Sequence, residues 1–275
     1  GQPSPYAQAT LPSPCVGSTT DIAESGNVYF VACREDVTCS DGVTPGCSRI
    51  FVFDVDSNTG FAVRPLTPYV AYADLWGVTS IQISDDRWLL VADRDGNRIL
   101  RFPDAVTHAR AVIGTEGVVL PLLPADADNP PWGQPDAVST VPNYHPSGNP
   151  QVSEQGLNAP THLAVHPVDR TMWVTDINNN RVLSFSDIGA ANPERRAQLV
   201  LGQLDFTHSL PNRLEPNAML GVAGVALGPG PEGLRAAVVD QGAHRVLLYN
   251  RIDGYTTGED PDMVLGPVSY THLTL

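Results

Sequence analysis

Apolar and polar residues alternate along most of this chain in short runs, separated by turns rich in Asp, Asn, Gly and Pro. Alternation of that period predicts half-buried strands, and turns at this density leave little room for long helices. One pattern recurs with its spacing intact. Val91–Phe102 reads V-A-D-R-D-G-N-R-I-L-R-F, Val174–Phe185 reads V-T-D-I-N-N-N-R-V-L-S-F, and Val238–Tyr249 reads V-V-D-Q-G-A-H-R-V-L-L-Y. Each copy holds an apolar run, a D-x-x-x-x-R turn and a second alternating run, the pattern of an antiparallel hairpin. A further strand is predicted before each hairpin (78–83, 161–165, 222–227) and another after it (109–114, 197–202, 261–266), giving four strands per unit. A first, degenerate unit runs through 20–24, 28–33, 49–53 and 61–66, with a cysteine-bearing insertion where the short turn should be.

Successive four-stranded units cannot bury both faces alone, so they predict sheets stacked as blades around a channel. The expected fold is all-β, a β-propeller with about four antiparallel blades near 18–66, 77–114, 160–202 and 221–266, and an insertion near 116–154. A β-sandwich does not require Asp and Arg to recur at fixed offsets.

The segment P-T-H-L-A-V-H-P followed by W-V-T-D-I-N-N-N-R-V-L-S-F, between Pro160 and Phe185, resembles a whole NHL repeat. The connections G-Q-P-D from Gly133 and G-Q-L-D-F-T from Gly202, each followed by a P-N pair at Pro142 and Pro211, are similar to linkers in bacterial NHL-repeat proteins. This resemblance implies a closed propeller of about six blades, so four blades read as part of a larger one. The last residues, 268–275 (V-S-Y-T-H-L-T-L), resemble a translated sequencing adapter and are set aside as a non-native tail.

Composition narrows the function classes. The 275 residues are 42% hydrophobic, enough for a sizeable core, and contain no apolar stretch of membrane-spanning length. A net charge of −14 with no basic patch argues against a nucleic-acid partner. All 16 basic residues are arginine, which fits a GC-rich genome. The four cysteines, Cys15, Cys33, Cys39 and Cys47, lack C-x-x-C spacing and suit two local disulfides, placing the protein outside the cytoplasm. Of the three possible pairings we expect Cys15–Cys33 with Cys39–Cys47.

The recurring Asp93, Asp176 and Asp240 with Arg98, Arg181 and Arg245 are expected to build the blades, the carboxylates accepting from turn amides. Residues that vary at one repeat position carry more functional information. Asp21, Ser80, His162 and Gly224 align at the start of the innermost strand; His162 and Asp21 are expected to hydrogen-bond to water or backbone in a wet channel, with a divalent metal such as Zn as the alternative for this pair. The channel mouth is expected to gather Asp136, Tyr144, His145, Asp205 and His208 with the turn residues Asn97, Asn180 and His244. The stretches 125–129 and 54–58 alternate side-chain oxygens; they read as solvated turns with a secondary capacity for Ca. No nucleophile elbow, zincin pair or phosphate loop is present, so catalytic residues stay unassigned and no cofactor is expected. The leading expectation is a non-catalytic binding or scaffold propeller for a protein, peptide or carbohydrate ligand. The alternative is a metal-dependent propeller enzyme, lactonase- or lyase-like, with its site in the channel.

Overall fold

A computed structural model describes residues 18–34, 47–55, 67–68, 75–84, 88–102, 104–113, 152–190, 194–211, 216–230 and 233–267. Blade I contains β1 (Ser18–Ser25), β2 (Val28–Arg34), β3 (Ser48–Asp54) and β4 (Thr67–Pro68). Blade II contains β5 (Val78–Ser84), β6 (Trp88–Asp93) and β7 (Arg98–Phe102), followed by helix α1 (Ala105–Val112). Blade III contains β8 (Pro160–Val165), β9 (Met172–Asp176), β10 (Arg181–Phe185) and β11 (Leu199–Leu201). Blade IV contains β12 (Val222–Gly230), β13 (Gly233–Asp240), β14 (Arg245–Tyr249) and β15 (Met263–Leu265). Each blade is an antiparallel meander in chain order.

The blades stack face to face. The innermost strands pack consecutively, β1 on β5, β5 on β8 and β8 on β12, which makes the all-β propeller arrangement. Among the described residues β12 makes no comparable contact with β1, so the four blades form an arc. Strands β6, β9 and β10 are buried along their whole length, because a neighbouring sheet covers each face. Three apolar clusters follow the three junctions. Phe30, Val52, Ile81 and Leu89 meet Val106 and Ala109 of α1 between blades I and II. Leu90, Ile99, Leu163 and Val174 fill the second junction, and Trp173, Leu201, Val225 and Leu247 the third. At roughly 1.5–3 kcal/mol for each fully buried large apolar side chain, stacking rather than any single blade holds the arc together.

Two features differ from the sequence expectation. The strand expected over 109–114 is not formed; α1 occupies this place, and blade II has three strands among the described residues. The run A-V-T-H-A-R-A-V also fits a helix, with Ala105, Val106, Ala109 and Ile113 buried at helical spacing against the first junction. The second feature is a bulge in every innermost strand, between Thr19 and Asp21, Val78 and Ser80, Pro160 and His162, and Val222 and Gly224.

Candidate functional site

The repeated aspartates and arginines form a fastener in each of blades II to IV. Arg98, Arg181 and Arg245 donate through Nε to Oδ2 of Asp93, Asp176 and Asp240, each at 2.8 Å. All six residues are buried. The other carboxylate oxygen receives amides leading into the innermost strand: Trp76 and Gly77 on Asp93, Asn158 on Asp176, and Leu220 on Asp240. Arg181 also donates to the carbonyls of Phe206, Ser153 and Gly156, tying both flanking loops to its blade. Burial lifts the Asp176 carboxyl above the ordinary aspartate range, while Arg181 and Asn179 pull it the other way. These groups are saturated by the scaffold.

A second set of side chains joins one blade to the next. Asn97 and Asn180, both left-handed at the end of the turn, accept from the amides of Ala159 and Gly221 in the following blade. Thr79 and Thr161, the bulge residues, donate to the carbonyls of Pro160 and Val222. The innermost strands of blades III and IV are therefore each gripped at two consecutive residues. His244 occupies the corresponding left-handed position in blade IV and is exposed.

Strand pairing places Asp21, Ser80, His162 and Gly224 at equivalent positions, each just after its bulge. They do not form one site. Asp21 Oδ1 accepts from Ile22 N and Oδ2 from Ile81 N of blade II, both at 2.8 Å, so its carboxylate is an interblade clasp. Ser80 is buried, at 2% exposure, and Gly224 brings no polar group. His162 differs, with its Nδ1 buried and free of any hydrogen-bond partner among the described residues. Among those residues no three His, Cys, Asp or Glu side chains converge.

The loop between β11 and β12 lies on the face of the D-x-x-x-x-R turns, because strand ends alternate between faces in a meander. Gly202 (φ 91°) starts it, lying so close to Asn180 O that a Cβ would stand 2.9 Å away. Gln203 donates to Asn180 O and Leu210 O, and Asn180 to Ser209 O. This frame presents Asp205 and His208, whose Oδ1 and Nδ1 lie 2.6 Å apart. Hydrogen bonds from Thr207, then from His208, hold the Asp205 carboxyl down at about 2.

On the opposite face a cleft of about 270 Å³ opens between blades III and IV, with Thr171, Trp173, Ser184, Gln198 and Ile252 among its walls and Asp169 and Asp253 as its carboxylates. No single stretch of sequence points to it, since its walls come from five separate segments. Asp136, Tyr144, His145 and the 116–151 part of the insertion lie outside the described residues, as do 56–58, the strand expected over 61–66, 125–129 and 268–275. Neither Cys33 nor Cys47 is a free thiol. Cys15 and Cys39, and with them the pairing, lie outside the described residues. No helix of the described residues is long and apolar enough to cross a membrane.

No protein-family model matches the chain, so its NHL likeness stays a resemblance, and no curated protein matches it in sequence. Solved structures resemble it at TM-scores below 0.5. A periplasmic gluconolactonase of Pseudomonas aeruginosa is 14% identical with a TM-score of 0.48, covering 84% of this chain and 53% of its own. Virginiamycin B lyase of Staphylococcus aureus is 14% identical with a TM-score of 0.46, covering 89% and 56%. Hydrazine synthase of Kuenenia stuttgartiensis is 13% identical with a TM-score of 0.47, covering 96% and 52%. The chain spans little more than half the length of each.

Proposed function

We propose that this chain belongs to an extracytoplasmic, non-catalytic binding propeller that takes a protein, peptide or carbohydrate ligand on the face of its interblade loops. The observation that supports this reading is the loop carrying Asp205 and His208, polar side chains presented on backbone pinned by Arg181, Asn180 and Gln203. The inward-facing alternatives are largely consumed by the scaffold, as Asp21 is. The absence of free thiols at Cys33 and Cys47 suits an oxidising compartment.

His162 supports a second reading, a metal-dependent lactonase- or lyase-like enzyme with its centre in the channel. Its buried, unpartnered Nδ1 is the kind of nitrogen a divalent metal takes, and further ligands would have to come from beyond the described residues. Calorimetric titration with a panel of oligosaccharides and short peptides separates the two. The binding reading expects a ligand whose affinity falls at least about tenfold in Asp205→Asn and His208→Ala, withstands EDTA, and is lost without loss of melting temperature. Hydrolysis of gluconolactone that EDTA and His162→Ala both abolish would replace it with the enzyme reading.

A further inference from the structure

The second and third junctions are built on the same strand register and filled differently. At the second, the Arg101 guanidinium lies over the Trp88 ring, 4.1 Å from its centroid. Its NH1 crosses to blade III and donates to the carbonyls of Ile188 and Ala190. Arg101 is 2% exposed, a plug of its junction. Arg101 pairs with Leu90 in blade II, and in blade III the corresponding pair is Ser184 with Trp173. Trp88 stands at the start of β6; its counterpart directly before β9 is Thr171. Both plug residues are thus replaced by small hydroxyl side chains, and the space they would fill is the cleft between blades III and IV. Ile252 and Asp253 border it from the segment that matches Ile188 and its neighbours.

The chemistry of this cleft matches the missing plug. Trp173 supplies an aromatic wall, Asp169 and Asp253 supply two carboxylates, and Gln198, Ser184 and Thr171 supply oxygens that accept hydrogen bonds. Asp169 is held by His166 and by the Thr171 amide, which fixes its orientation. Neither Lys nor Arg lines the cleft among the described residues, and the chain's charge of −14 favours a cationic ligand. Its volume lies just under the roughly 300–1,000 Å³ of pockets for whole drug-sized ligands, which suits a single head group. A guanidinium satisfies all of these demands, because it stacks on a ring and donates in a plane to carboxylates and carbonyls.

We propose that the cleft between blades III and IV is a binding site for a guanidinium group, such as an exposed arginine side chain, occupying the place that Arg101 fills from within one junction earlier. The site is on the face opposite Asp205 and His208 and stands independently of any ligand there.

Calorimetric titration of the intact chain with L-argininamide tests the site, with citrullinamide as the uncharged isostere. Argininamide is expected to bind, and citrullinamide at least about tenfold more weakly, given the strength of charge-assisted hydrogen bonds. Ser184→Arg supplies the plug and should abolish argininamide binding while keeping or raising the melting temperature. Asp253→Asn, at an exposed position, should weaken binding at least about tenfold, whereas Glu24→Gln, an exposed carboxylate of blade I, should leave it unchanged. Equal affinity for the two probes, no binding by the unmodified chain, or undiminished binding in Asp253→Asn would overturn the proposal.

Discussion

Blade III and blade I share a strand order and a register but are closed by different chemistry. In blade III the second and third strands meet at Asp176 and Arg181, a buried ion pair that also collects backbone groups from two loops. The corresponding pair in blade I is Cys33 with Arg49, a fully buried cysteine opposite an exposed arginine. Where the carboxylate is lost, its place is taken by a cysteine that is not a free thiol. The ion pair is a device for a short turn, since its partners lie five residues apart. A long insertion between the same strands separates them in the chain and favours a covalent tie, which gains most where it closes a loop.

The largest effect should come from Asp176→Ala, which leaves the Arg181 guanidinium, 0% exposed, without its counter-ion. We expect a loss of about 3–5 kcal/mol in urea denaturation; a loss under about 1 kcal/mol would mean that the carbonyls of Ser153, Gly156 and Phe206 suffice. Cys33→Ser, or full reduction, should cost about 2–4 kcal/mol and should raise hydrogen exchange in blade I before blades III and IV. Unchanged exchange in β2 and β3 after reduction would contradict the covalent fastening. The smallest effect concerns acid. The Asp205 carboxyl titrates at about 2 when folded, below its ordinary value near 4, so its contribution is complete above about pH 4 and disappears as pH falls through about 2. Carbon-detected NMR of the carboxyl should show that midpoint in the native chain and a return toward about 4 in Thr207→Ala.

The fastener in blades II to IV was legible in the sequence because all its parts lie within one hairpin. The D-x-x-x-x-R turn brings its own partners together, and three copies reveal the register. Helix α1 was hidden because Ala and Val satisfy both a short strand and one face of a helix, and contacts with blade I decide between them. The channel candidates failed differently. Asp21, Ser80, His162 and Gly224 are equivalent as expected, yet the fate of Asp21 depends on the Ile81 amide, 60 residues away. The cleft at the third junction was harder still. It exists because Ser184 and Thr171 stand where Arg101 and Trp88 stand in the neighbouring blade, a difference that acquires meaning only once the blades are stacked.

The paired grips of Asn97 with Thr79 and of Asn180 with Thr161 have a mechanical consequence. Each pair holds two consecutive residues at the entrance of the next blade, so tension along the chain meets the blades in series, one clasp after another. A chain pulled from its ends should therefore extend in discrete steps, each releasing a single sheet, with the force peaks set by these clasps rather than by the buried ion pairs inside the blades.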